Sequence, residues 1–122
     1  MAYLGPRGTF SEEAALRFFG SSIERVFCGS FDEVFHATTS GSAQFGVVPV
    51  ENSTEGVVTR SLDLFLNSPV HIIGEVSLLV RHNLLRLENG LEGIEVVCAH
   101  AQALAQCQAW LSTHLPNAER HA

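Results

Sequence analysis

Apolar residues fall along this chain in short runs separated by polar clusters, and strand-like and helix-like spacing alternate. Met1 to Leu4 is a short apolar opening, followed by the turn Gly5-Pro6-Arg7-Gly8. Thr9 then begins a helix. Glu12 stands at capping-box spacing from it, Phe10, Ala14 and Phe18 recur at helical intervals, and Gly20 ends the run. Ile23 to Cys28 predicts a second strand. Ser30 and Glu33 repeat the capping-box spacing and predict a helix through about Thr39. Phe45 to Val50 is almost continuously apolar, the pattern of a strand buried on both faces of a parallel sheet. A polar loop, Glu51 to Gly56, follows, and then a helical stretch from Val57 to Leu66.

Ser68-Pro69 reads as a turn. Val70 to Val80 predicts one long strand or two parted near Gly74; Leu84 to Leu87 suggests a short strand, and Ile94 to Cys98 another. Gln102 to His114 predicts a helix with Leu104, Cys107 and Leu111 inward, stopped by Pro116. Such an order implies an α/β fold, a parallel sheet covered by helices. Gly74 marks the point where the chain leaves a first unit for a second. After His114 no strand is visible to close that second unit, which reads as unfinished.

Composition removes several classes of function. At 122 residues, with 46% hydrophobic and 16% charged residues, this is a folded globular chain rather than a disordered one. Thirteen acidic residues oppose seven basic ones, all Arg, for a formal charge of −6. That balance argues against a nucleic-acid surface. The most apolar stretch, Val70 to Val80, is interrupted by His71 and Glu75 and is too short to span a membrane. No signal peptide is visible at the start. Cys28, Cys98 and Cys107 are an odd number without metal-like spacing, and they read as buried free thiols in a reducing cytoplasm. The six His residues include no helical metal pair, so no metal is expected. Phe18, Phe19, Phe27, Phe31 and Phe35 read as core, and Arg60, Arg81 and Arg86 as solvated.

Ligands of open α/β sheets sit beyond the carboxyl ends of strands, at helix N-termini, and three segments meet that condition. The first is Gly5 to Ser11. Its glycines let backbone approach a ligand and the Thr9 and Ser11 hydroxyls add donors, with Arg7 placed to meet an anion; equally, the glycines make a turn and Thr9 a cap. The second is Glu51-Asn52-Ser53-Thr54-Glu55-Gly56, with more donors and acceptors than a strand-to-helix loop requires. Glu51 and Glu55 are an acid/base pair there, or one of them only favours a helix start electrostatically. The third is Ala99-His100-Ala101-Gln102 with Gln106, where the two amides share one helix face; surface amides are also common without function.

These residues carry a resemblance. Tyr3-Leu-Gly-Pro-Arg-Gly-Thr-Phe-Ser-Glu-Glu-Ala-Ala15 resembles the opening of prephenate dehydratase catalytic domains. Gly46-Val-Val-Pro-Val-Glu-Asn-Ser-Thr-Glu-Gly-Val-Val58 resembles that family's central signature, and His100-Ala-Gln-Ala-Leu-Ala-Gln-Cys107 its third motif. Ile73-Gly-Glu75 and His82-Asn-Leu-Leu85 follow the family's run between them. The resemblance implies a two-lobed fold similar to type II periplasmic binding proteins, with parallel-sheet lobes and the active site between them. Residues 1–75 would form the first lobe and 76–122 the start of an incomplete second.

The implied activity is that of a carbon–oxygen lyase, converting prephenate to phenylpyruvate, carbon dioxide and water in phenylalanine biosynthesis. The resemblance also implies no cofactor, a cytoplasmic homo-oligomer (a dimer), and a chorismate mutase domain and an ACT domain alongside in the intact protein. No membrane or nucleic-acid partner is expected. Substrate-binding positions carried over are Thr9, Ser11, Asn52, Ser53, Thr54, Glu55, Gly56, His100, Gln102 and Gln106, with Asn52, Thr54 and Gln106 as direct contacts. The family's Thr-Arg-Phe motif, whose Thr is regarded as catalytic, lies beyond Ala122, so this chain alone is expected to be inactive. Its third motif also departs from Ser-His-Pro-Gln, with Ala99 and Ala101 replacing Ser and Pro. The alternative from another class is a non-catalytic carboxylate-binding or regulatory module on the same fold.

Overall fold

The computed structural model describes residues 1–54 and 56–122. They divide into two compact units, Met1–Leu79 and Val80–Ala122.

The first unit is built on β1 (Ala2–Leu4), α1 (Phe10–Phe19), β2 (Val26–Cys28), α2 (Phe31–Thr39) and β3 (Gly46–Val47). The strands form a parallel sheet in the order β2-β1-β3, with Tyr3 opposite Phe27 on one side and Val47 on the other. Strand alternation sends neighbouring residues of β1 to opposite faces. Ala2 packs with Cys28, Val34, Ala37 and Ala43, which places α2 on one face. Met1 and Tyr3 pack with Ala15, backed by Leu16, Phe19 and Phe45, which places α1 on the other.

Both helix starts are written locally. Thr9 and Ser30 are N-caps in extended conformation, and each side chain accepts from the backbone N–H three residues on, of Glu12 and Glu33 respectively, at 3.2 Å. The returning Glu side chains reach past the cap to the glycine before it. Glu12 accepts from Gly8 N–H at 3.2 Å and Glu33 from Gly29 N–H at 2.7 Å. Gly8 has φ +86°, a region open to glycine at little cost.

The apolar stripe of α1 is not the one its Phe spacing suggests. Ala15, Leu16 and Phe19 pack against the sheet, while Phe10 and Phe18 face outward, 55% and 45% exposed. Phe27 is also half-exposed, edge-on to Tyr3, so of the Phe residues read as core only Phe35 is fully buried.

The expected strand from Phe45 to Val50 shrinks to two residues, and Val50 is 45% exposed. β3 is the outermost strand of its sheet, and Pro49 has no N–H to extend a ladder. The expected polar loop instead begins a small antiparallel pair, β4 (Glu51–Asn52) with β5 (Gly56–Val57), closed by Val58 N–H to Val50 O at 2.8 Å. Val57 therefore belongs to a strand, and the helix that follows, α3 (Thr59–Leu66), starts two residues later than its sequence pattern indicates. Phe35 and Phe65 meet edge to face across α2 and α3.

Residues 70–80 and 84–87, read as strands, carry no regular structure. A strand needs a hydrogen-bonded neighbour, and no ladder partner for these stretches lies among the described residues. Their apolar side chains are open, Leu79 at 76%.

In the second unit a strand follows His114 where the sequence pattern shows none. After β6 (Val96–Cys98), α4 (Ala101–Gln106) and α5 (Gln108–His114), Glu119–His121 forms β7, parallel to β6. Val97, Leu111 and Leu115 are its core, with Ile94, Leu104 and Cys107 packed on them, so the predicted inward stripe holds. The single predicted helix is broken at Cys107, which caps both halves. All three thiols are free, but only Cys28 is buried; Cys107 is half-buried and Cys98 exposed.

Candidate functional site

The first polar segment is consumed largely by its own architecture. The Thr9 hydroxyl donates to Leu4 O at 3.0 Å while accepting from Glu12 N–H, so its proton is not available to a ligand. Ser11, in the first turn of α1, makes no side-chain hydrogen bond among the described residues. Glu12 Oε2 accepts from the Tyr3 hydroxyl at 2.9 Å. That bond, followed by the Gly8 N–H, holds the Glu12 carboxyl below its ordinary range. Burial, reinforced by the same bond, pushes the Tyr3 phenol up. An open hollow of about 440 Å³ lies beside this turn, lined by Gly8, Thr9, Glu12, Glu13, Leu16 and Arg17. Two carboxylates face it against one guanidinium, and Arg17 is paired with Glu13 at 3.4 Å. Such a lining does not suit a dianion.

In the second segment the amide at the end of β4 is held by its neighbour. Asn52 Oδ1 accepts from Thr54 N–H at 3.1 Å, an Asx turn that fixes the amide at the end of β4. Asn52 is half-buried, whereas Glu51, Ser53 and Thr54 are exposed. Gly56 has φ +77° and is half-buried in β5. Glu55, one of the predicted site residues, lies outside the described residues, and so does its half of the Glu51–Glu55 pair.

Arg60 and Arg86 are engaged rather than simply solvated. Arg60 forms a two-point ion pair with Asp32, whose bonds hold the Asp32 carboxyl below its usual range. Arg86 Nη1 donates to Gly90 O and Glu92 O, both at 2.9 Å, and Nη2 to Glu88 at 3.1 Å. Arg7 is exposed, in keeping with its place in an open turn.

The third segment lies in the second unit. His100 is the N-cap of α4, its Nδ1 accepting from Gln102 N–H at 3.2 Å. Gln102 and Gln106 follow one another along one face of that helix, both half-buried. Gln106 Oε1 is 2.7 Å from Nε2 of His82. Sequence reasoning did not single out His82. Twenty-four positions separate it from Gln106, beyond any local spacing rule, and its place in the run His82 to Leu85 was the one available signal.

The structure thus gathers Asn52, Ser53, Thr54 and Gly56 at one ribbon, and places His100 and Gln102 at the start of α4 and Gln106 at its end, with Thr9 and Ser11 at the head of α1. Comparison with known proteins bears on what such a set does. A prephenate dehydratase family model matches residues 1–122. A bifunctional chorismate mutase/prephenate dehydratase of Neisseria gonorrhoeae is 50% identical over 123 aligned residues, 100% of this chain and 34% of that protein. An arogenate dehydratase/prephenate dehydratase of Arabidopsis thaliana is 42% identical over 113 residues, 92% of this chain and 29% of that protein. Among solved structures, prephenate dehydratase from Arthrobacter aurescens in complex with L-Phe matches 98% of this chain and 40% of its own, with TM-score 0.70 and 31% identity. The chain therefore spans about a third of the length of the curated relatives it matches.

Proposed function

The chain belongs to the prephenate dehydratase family, and from that premise we propose that the protein carrying it converts prephenate to phenylpyruvate. The family match over residues 1–122 carries this reading. In the reaction, a carboxylate leaves the ring as carbon dioxide, its electron pair aromatises the ring, and the ring hydroxyl departs as hydroxide, taking a proton to become water. The protein acts as a carbon–oxygen lyase.

Aromatisation supplies the driving force, so the chain's task is to hold a dianion and assist the departing hydroxyl. Neutral amides and hydroxyls suit it, because they donate hydrogen bonds to carboxylates without depending on their own protonation. We assign direct contacts to Asn52, Thr54 and Gln106. The Asx turn supports the first two, since it fixes the Asn52 side chain and exposes Thr54. Ser11, Ser53, Glu55, Gly56 and Gln102 are assigned as further substrate-binding residues. Thr9 and His100 act by capping the helices that carry their neighbours.

Chorismate mutase is fused to this domain in relatives such as that of Neisseria gonorrhoeae, and the same fusion is proposed here. A cytoplasmic homodimer is part of the proposal; the free thiols are consistent with a reducing compartment. Among the described residues no helix is long and apolar enough to cross a membrane.

The test is phenylpyruvate formation from prephenate by the full-length protein, with arogenate in parallel because one relative is named for both. Turnover of prephenate is the expected result. Turnover of arogenate alone would reassign the substrate, and turnover of neither by a folded protein would leave a carboxylate-binding module.

A further inference from the structure

A glutamine side chain is ambiguous as a ligand group, because one end accepts hydrogen bonds and the other donates them. A carboxylate can use only the donating end. Something must therefore turn the amide the right way, and His82 is placed to do so. Its Nε2 stands 2.7 Å from Oε1 of Gln106. An amide oxygen can only accept, so Nε2 carries the hydrogen in this contact. The neutral Nε2–H tautomer and the imidazolium both supply it. With the oxygen held by His82, the two N–H bonds of Gln106 face away from the ring.

Backbone does not replace this restraint. Gln106 is the last residue of α4, a helix of six residues that ends at Cys107. Residues 80–87, which carry His82, join no ladder among the described residues, so the imidazole contact reaches α4 from a segment without regular structure. His82 is exposed and its ring is not part of the packed core of this unit. Its contact with Gln106 is thus poorly explained as a stability device, since exposed polar pairs add little to folding.

We propose that His82 is a positioning residue for the dehydratase site, holding the Gln106 amide so that its N–H groups meet a carboxylate of the substrate. The proposal rests on the assignment of Gln106 as a prephenate contact. His82 itself touches no reacting atom.

The experiment is steady-state kinetics on prephenate with the full-length protein and the variants His82→Ala, His82→Asn, His82→Gln, Gln106→Ala and His82→Ala/Gln106→Ala. Glutamine's Nε2 lies as many bonds from Cα as the imidazole Nε2, whereas asparagine falls one short. Loss of the oriented amide removes binding shared by ground and transition states, so KM rises about tenfold in His82→Ala and His82→Asn with kcat little changed. His82→Gln restores KM to within about threefold of the parent. In the Gln106→Ala background, His82→Ala adds nothing further. A merely structural His82 would lower stability in every background, and its effect would add to that of Gln106→Ala. That additivity, or an unchanged KM in His82→Ala, overturns the positioning role alone. An unchanged KM in Gln106→Ala overturns the assignment of Gln106 as a contact and the His82 role with it.

Discussion

The Tyr3 hydroxyl donates to Glu12 Oε2 at 2.9 Å, joining a fully buried ring of the central strand to the first turn of α1. The Glu12 carboxylate therefore takes the phenol and the Gly8 N–H, while the Glu12 backbone N–H donates to the Thr9 cap. The pairing has opposite consequences at the two ends of the pH scale. Glu12 has a depressed folded pKa, so its contribution is present above the unfolded carboxylate value and is lost as pH falls through the lower folded one. Tyr3 has a raised pKa, so the neutral phenol's contribution is present below about pH 10 and is lost as pH climbs toward the folded value. Glu12→Gln should lower the unfolding midpoint at neutral pH, with the gap to the parent closing in acid. Tyr3→Phe should remove the alkaline loss. Denaturant titrations from acid to alkaline pH check both; a constant gap for Glu12→Gln would contradict the linkage.

Gly46 lets β3 lie close against α2. A Cβ there would lie 2.7 Å from Thr38 Oγ1 and 3.1 Å from Val34 Cγ1. Thr38 Oγ1 is itself fixed by a bond to Val34 O at 2.9 Å, and Val34 is buried, so neither neighbour yields freely. Gly46→Ala should cost about 1–3 kcal/mol by overpacking. Adding Thr38→Ala removes the nearest collision, so the double variant should be more stable than the sum of the singles, measurable by urea denaturation.

Asn52→Asp tests the contact while keeping the turn. The substitution keeps an oxygen able to accept from Thr54 N–H, so the turn survives. It also replaces a neutral amide with an anion beside a dianionic substrate. KM for prephenate should rise by at least about tenfold, equivalent to ~1.4 kcal/mol. An unchanged KM would remove Asn52 from the contact set.

Ala99 offers a gain rather than a loss. Its N–H is already held by His121 O at 3.0 Å, so the backbone there is set by the β6–β7 pairing and not by the side chain. Ala99→Ser should therefore add a hydroxyl without moving the strand. If that hydroxyl reaches a carboxylate, KM falls about tenfold, the value of one bond to a charged group. Kinetics of the single variant decide it, and no change would mean that the hydroxyl does not reach the substrate.

Signals confined to one turn of chain were readable in advance. The two caps at Thr9 and Ser30 and the inward stripe of Leu104, Cys107 and Leu111 depend on neighbours a few positions apart. Features set by a distant partner were not. Glu119-Arg-His121 has no apolar alternation, yet it is a strand because β6 lies beside it and Arg120 reaches Ser112 at 3.0 Å. Val48, Pro49 and the run 70–80 show the converse, with strand-like composition and no ladder among the described residues. The polar clusters at Asn52 to Thr54 and at Gln102 and Gln106 were legible as chemistry, while the Asx turn that orients one and the imidazole that orients the other were not.

The reach of Glu12 and Glu33 past their caps to the preceding glycines also changes how the first unit looks to an anion. Each of the first two helices begins with two acidic residues, one of them bonded to the glycine N–H just ahead of the cap. These two helix starts are self-neutralised. An incoming dianion meets local repulsion there from the paired acidic residues. Discrimination in this unit consequently falls to neutral hydrogen-bonding groups, whose binding should vary far less with ionic strength than that of a site built on bare helix ends.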